Sequence, residues 1–241
     1  MDYVSFLTQR RSEILGLVSE AAKRSGRDAS EIELIAVSKT VEPEAVHDAY
    51  QAGYRTFGEN RPQELGRKIE ALKTWPDMTG VRFDMIGNLQ TNKINHVIGK
   101  ARLIHSISSE HLARAVSMRA EAKNCICQVL LEINVSGEES KSGFSPQEVQ
   151  KAADKLMSLS GISICGLMTM APQGDAYRAR KTFAGLRELQ GTLSKQMGLP
   201  LSVLSCGMSD DFPLAVREGS TMVRLGRLVF SSEYAVSSVL Q

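Results

Sequence analysis

ELIAVSKTVEPEAVHDAYQAGYRTFG, residues 33–58, carries the pattern on which the fold turns. Glu33-Leu-Ile-Ala-Val-Ser38 is a short apolar run that predicts a buried strand. Pro43 opens a helical stretch and Gly53 closes it, as the end preferences of helices require. Tyr54 to Gly58 predicts the second strand. The same alternation continues to the end of the chain. Strands are expected at Arg82 to Ile86, Arg102 to Ile107, Cys125 to Val135, Ile162 to Met168, Leu201 to Cys206 and Thr221 to Leu225. Helices are expected at Arg61 to Lys73, Gln90 to Ile98, Glu110 to Ala122, Pro146 to Leu159, Tyr177 to Met197 and Asp211 to Glu218. An amphipathic stretch from Tyr3 to Arg24 adds a helix ahead of the first strand. Strands that alternate with helices pair in parallel, and eight units in about 210 residues match a closed (β/α)8 barrel. An open doubly wound sheet is the alternative, but no G-x-G-x-x-G follows the first strand. No linker-like or low-complexity stretch divides residues 1–241, so one domain is expected.

Composition narrows the function classes. The chain has 241 residues, of which 42% are hydrophobic and 23% charged, so a core can form without staples. Its 29 Lys+Arg against 27 Asp+Glu give a net charge of +2, which argues against a nucleic-acid or membrane-surface binder. No apolar run approaches the roughly 20 residues of a membrane span, and the N-terminus lacks a signal-peptide core. A cytoplasmic or organelle-interior location is expected. Cys125 and Cys127 lie two apart in one strand-like run, while Cys165 and Cys206 stand singly. None has metal-ligand spacing, so reduced and mostly buried thiols are expected.

In a barrel of this kind the site lies at the C-terminal ends of the strands. Those positions hold Lys39, Glu59 and Asn60, then Gly87 to Asn92, His105, Asn134 and the loop Ser136 to Gly143. Met168 and Met170, the run Ser205-Cys-Gly-Met-Ser-Asp210, and Arg224, Gly226 and Arg227 complete the rim. The small residues of the last two loops suit a phosphate held by backbone amides; turn glycines without a ligand are the other reading. A lysine directly after Leu-Ile-Ala-Val-Ser is expected to face the barrel mouth, where partial desolvation would make it an amine nucleophile; a surface-exposed or ion-paired lysine is the other reading. Lysine, phosphate loops and an arginine together suit pyridoxal 5′-phosphate (PLP).

The residues at these ends give the chain a family resemblance. Ala36-Val-Ser-Lys-Thr40, Phe57-Gly-Glu-Asn60, Ile86-Gly-Asn-Leu-Gln90, His105-Ser-Ile107, Ser140-Lys-Ser-Gly143, Gly166-Leu-Met-Thr-Met170, Gly207-Met-Ser-Asp-Asp211 and Gly219-Ser-Thr-Met-Val-Arg-Leu-Gly226 run in order along the chain. In these segments it resembles the pyridoxal-phosphate homeostasis proteins, whose fold is similar to the N-terminal barrel of alanine racemase (fold type III). The resemblance implies Lys39 as the imine-forming lysine and Asn60 near the cofactor ring. It implies Ser209 on the phosphate, Arg224 facing the ring nitrogen, and Gly226 supplying backbone to the phosphate. An arginine there is always charged and only donates, which makes the ring a weak electron sink. The chain departs from the family at Cys206, at Asp84 (often His), at Arg227 (often Thr or Ser) and at Phe230-Ser-Ser232. Arg227 is expected to point outward, His105 to be a packed, hydrogen-bonded ring, Met168 and Met170 to pack at the mouth, and Tyr234 to pack in the tail. Glu59 has two readings: a partner of Lys39, or a cap of the following helix.

The function implied by the resemblance is a non-catalytic PLP carrier and regulator of vitamin B6 and amino/keto acid balance. It would act as a cytoplasmic monomer with PLP-dependent apoenzymes as partners. A PLP-dependent amino-acid racemase is the alternative. It needs two acid/base groups on opposite faces of the α-carbon, and only Lys39 offers itself. Racemase-like enzymes carry a further β-rich domain, and the residues from Val229 to Gln241 are expected to form only a short helix. A barrel enzyme acting on another phosphorylated metabolite is a third possibility.

Overall fold

Residues 2–239 are described by the computed structural model. The strands are β1 Glu33–Val37, β2 Thr56–Glu59, β3 Arg82–Met85, β4 Leu103–Ile107, β5 Cys127–Glu132, β6 Ile162–Met168, β7 Val203–Ser205 and β8 Met222–Leu225. They close in sequence order into a parallel barrel, with β8 returning to β1 through Leu34↔Val223 and Ala36↔Leu225. The helices are α1 Tyr3–Arg24, α2 Pro43–Gln51, α3 Pro62–Leu72, α4 Glu110–Glu121, α5 Pro146–Met157, α6 Ala176–Met197, α7 Phe212–Arg217 and α8 Arg227–Phe230. The (β/α)8 expectation therefore holds, and the extra N-terminal helix packs against α2, α7 and α8.

Local chemistry sets the helix ends. Asp2 caps α1 by accepting the Ser5 amide at 2.7 Å. Ser145 and Glu148 form a reciprocal capping box at α5, and Pro stands in the first turn of α2, α3, α5 and α7.

The boundaries depart from expectation in three places. The segment between β3 and β4 is a 3-10 turn, Thr91–His96, rather than a helix from Gln90 to Ile98. Gln90 caps nothing with its side chain, and Gly99 at φ +79° ends the run after barely two turns. β5 begins at Cys127, after the turn in which Asn124 adopts φ 52°, so Cys125 lies just ahead of the strand, with its thiol still beside that of Cys127. Leu201 at φ 38° likewise keeps β7 to three residues. All four cysteines are free; Cys127 and Cys206 are buried, Cys125 and Cys165 half-buried.

Strand alternation divides the interior in two. Ala36, Phe57, Val129 and Leu204 point outward into the layer beneath the helices, with Leu7, Ile14, Phe183 and Phe212. Ile35, Leu103, Leu130, Met168 and Met222 point inward and form a small second cluster in the lumen.

Candidate functional site

The C-terminal end of β1 is clamped from two sides. Ser38, fully buried, donates its amide to the Gly58 carbonyl at 3.0 Å and its hydroxyl to Glu59 Oε1 at 2.5 Å. Lys68 reaches in from α3 and donates through Nζ to the same Oε1 and to the Ser38 carbonyl, both at 2.5 Å. Lys68 and Glu59 are both buried, and Glu59 Oε2 has no hydrogen-bond partner. Glu59 thus fulfils neither expected role: it holds Lys68 and Ser38. Lys39 follows this clamp and is exposed, with no hydrogen bond or ion pair among the described residues. The expected partial desolvation of its amine is not observed. β1 ends at Val37, and buried Ser38 is the last residue that the clamp covers, so Lys39 stands on the rim.

Asn60, half-buried, follows β2 directly, and its backbone presses against Gly87 so closely that a side chain at Gly87 would collide with the Asn60 carbonyl. Across the barrel, Gly207 turns the chain after β7 at φ +95°, where a Cβ would come within 2.7 Å of Ala215. The following loop folds on itself: Asp211 Oδ1 accepts the Met208 amide at 2.7 Å. Burial pushes the Asp211 carboxyl above its ordinary pKa despite that bond.

Ser209 is buried, and its Oγ accepts the Leu228 amide at 3.3 Å, which ties the β7 loop to α8. That bond uses an oxygen lone pair and leaves the hydroxyl proton free to donate. The amides of Ser209, Asp210, Gly226 and Arg227 find no protein acceptor among the described residues. Four unspent N–H groups on two adjacent loops form a cradle for an anion. Arg227 points outward as expected; it pairs with Asp210 at 2.8 Å and lies over the Tyr234 ring.

Arg224 enters the lumen from β8 and is buried. Its Nη1 donates to Ser205 Oγ at 2.5 Å and its Nη2 to the Thr169 carbonyl at 3.2 Å. Ser205 Oγ lies 3.0 Å from His105 Nδ1, and His105 Nε2 lies 3.1 Å from Asp84 Oδ2. Arg102 closes the row with bonds of 2.8 and 2.6 Å to Asp84, and it also pairs with Glu33. Burial pushes the His105 ring below its ordinary pKa, against the pull of Asp84. Burial also works to raise Asp84, but the bonds from His105 and Arg102 outweigh it and hold the carboxyl below the usual range. Glu132, buried at the end of β5, is raised by burial, with Arg224 opposing.

His105 is the packed, hydrogen-bonded ring expected of it, and Met168 is packed. Met170 is exposed instead, because it lies beyond the end of β6; its carbonyl accepts Lys141 Nζ at 3.2 Å.

Sequence reasoning missed Lys68, Glu132 and the role of Ser205. Glu132 was within reach: it is two residues past inward-facing Leu130, so the period of the strand points it into the lumen. No group of three or more His, Cys, Asp or Glu able to hold a metal occurs among the described residues. The donor set has an uncommitted amine on the rim after β1, a fixed cation in the lumen and an anion cradle on the loops after β7 and the neighbouring β8. It suits a small molecule with an aldehyde and a phosphate.

Residues 20–233 match the family model of the alanine racemase N-terminal domain. The chain is 39% identical to the pyridoxal phosphate homeostasis protein of Aquifex aeolicus over 223 residues, covering 92% of this chain and 96% of that protein. It is 37% identical to the protein of the same name from Pseudomonas aeruginosa, covering 95% of this chain and 96% of the relative. Among solved structures it is similar to PipY of Synechococcus elongatus with PLP bound. The TM-score is 0.78 and the identity 32%, with 89% of this chain and all of that one covered.

Proposed function

We propose that this chain, which belongs to the family of the alanine racemase N-terminal domain, binds PLP at the rim and serves the homeostasis of that cofactor. One observation carries the reading. A free amine, an anion cradle and a buried guanidinium stand at the same end of one closed parallel barrel. Relatives named pyridoxal phosphate homeostasis protein, matched over nearly their whole length, and the PLP-bound PipY structure support it.

In this reading Lys39 holds the aldehyde carbon covalently through Nζ, and its lack of an ion pair leaves that amine free to react. Ser209 donates its spare hydroxyl proton to the phosphate, and the amides of Ser209, Asp210, Gly226 and Arg227 bind the remaining oxygens. Asn60, whose side-chain amide has no hydrogen-bond partner among the described residues, borders the ring. Arg224 faces the ring nitrogen as a donor. Bound PLP supplies an electrophilic carbon and an electron-withdrawing ring. A guanidinium donor favours an unprotonated ring nitrogen, which weakens that withdrawal. The reading therefore includes storage and delivery of the cofactor without turnover, by a single-domain cytoplasmic monomer, with PLP-dependent apoenzymes as recipients.

Borohydride reduction of the PLP-loaded protein followed by peptide mapping tests the site. The label belongs on Lys39, and a label on another lysine refutes the assignment. PLP should bind far more tightly than pyridoxal; equal affinity refutes the phosphate cradle. Deuterium exchange at the α-carbon of alanine, with chiral analysis, tests turnover: efficient inversion that Lys39→Ala removes would make the chain a racemase.

A further inference from the structure

Five buried or half-buried polar side chains cross the lumen in one row: Arg102, Asp84, His105, Ser205 and Arg224. Their hydrogens can be assigned from the two ends. Arg224 only donates, so Ser205 Oγ accepts from it. At the other end the Asp84 carboxylate holds the ring proton on Nε2, so a neutral His105 has a bare Nδ1 that accepts the Ser205 hydroxyl proton. The ring proton sits on Nε2 and goes to Asp84, whose other lone pairs accept from Arg102. With a neutral ring each group has one consistent role along the row.

We propose that Asp84, His105 and Ser205 are positioning residues, a one-way hydrogen-bond relay that aims the Arg224 guanidinium. In its functional half the inference rests on the reading of Arg224 as the partner of the cofactor ring. Ser205 and the Thr169 carbonyl take one N–H from each terminal nitrogen and fix the plane of the group. The remaining N–H groups are thereby oriented without any contact to the anion cradle. With His105 neutral, Ser205 both accepts from Arg224 and donates to Nδ1; protonation at Nδ1 would turn that bond round and leave the Ser205 hydroxyl proton without this acceptor. The charged groups that face the ring are Asp84 on β3, which favours the cation, and Arg102 and Arg224, which oppose it, all within a buried environment. Arg224 in turn is faced by the carboxyls of Asp211 and of Glu132 from β5, and by the Cys206 thiol, while its burial opposes the charge.

Nitrogen-15 spectra of the imidazole rings test the relay in protein without cofactor. His105 should show the Nε2–H tautomer with no titration between about pH 5 and 8, against an ordinary midpoint near 6.5. A titrating His105 or an Nδ1–H tautomer overturns the relay. Asp84→Asn should change the tautomer or restore titration; an unchanged spectrum also overturns it. The second arm uses PLP itself. Ser205→Ala should loosen PLP about ten-fold, as loss of one hydrogen bond to a charged group predicts, while borohydride still labels Lys39. Ser205→Thr, which keeps the hydroxyl, should restore affinity. Unchanged affinity in Ser205→Ala refutes the positioning role. If the wild-type protein takes up no PLP, the functional reading fails, and the tautomer alone decides the relay.

Discussion

The two interiors of this barrel are built from different materials. The layer between strands and helices is almost wholly apolar, and Phe57, Phe183 and Phe212 are within about a percent of complete burial. The lumen holds a cluster of five apolar side chains and, around and above it, Asp84, His105, Glu132, Ser205 and Arg224. The outer layer draws on the hydrophobic effect, which needs only area and close packing. The lumen and the β1 clamp depend on pairing, because each buried charge is costly unless its partners are in place. Stability and function are thus separated by the pleat of the strands: one parity faces the helices, the other the site.

The largest expected effect lies in the outer layer. Phe183→Ala should destabilise the protein by about 3–5 kcal/mol, the usual cost of an aromatic cavity, read as a lower urea midpoint with unchanged slope. A loss below about 1 kcal/mol, the scale of an ordinary substitution, would dissolve the contrast between the two interiors.

Lys68→Met should cost roughly 3 kcal/mol, because Glu59 is left charged and buried. The double change Lys68→Met with Glu59→Met should recover most of that loss, since an apolar pair of similar volume often replaces a buried ion pair at little cost. Failure of the double variant to recover would mean that the clamp itself, through Ser38, holds β1 in place.

The pH response sharpens the picture within the lumen. Asp84 has a lowered pKa in the fold, so its contribution is fully present above the unfolded aspartate value, near 3.9, and is lost as pH falls through the folded value. Glu132 has a raised pKa and the opposite sign: stability declines as pH rises from the unfolded glutamate value, near 4.3, through the folded one. Thermal melts across this range should show Asp84→Asn lacking the acid limb and Glu132→Gln lacking the decline above it.

The smallest effect on stability is expected at Lys39, the residue proposed to hold the cofactor. Lys39 is exposed and unpaired, so Lys39→Ala should shift stability by no more than about 0.5 kcal/mol, while abolishing cofactor labelling. A large loss of stability would place Lys39 in the structural network instead.

The alternation of strands and helices was legible because apolar period and helix-end residues are local signals, as in Glu33 to Gly58. The placement of Lys39, Asn60, Ser209 and Gly226 at strand ends was legible because strand ends in a barrel are also positions in sequence, and that of Arg224 because it lies one residue from the end of β8. Lys68 was not. In α3 it reads as one more charge on an amphipathic helix, and its burial depends on Ser38 and Glu59, 30 and 9 residues away. The strand starts at Cys127 and Val203 were misplaced because propensity does not reveal that Asn124 and Leu201 take positive φ.

Pattern along the chain is enough to specify a parallel eight-stranded barrel and the residues on its rim, since both follow from periods of two and 3.6 residues read locally. It is silent on which polar side chains meet in the lumen. Arg102, Asp84, His105, Ser205 and Arg224 come from four strands or their edges, and Asp84 turns from a lone carboxylate into the anchor of a row only when the barrel closes. A hydrogen bond acts over about 3 Å, and closure alone brings these groups within that reach.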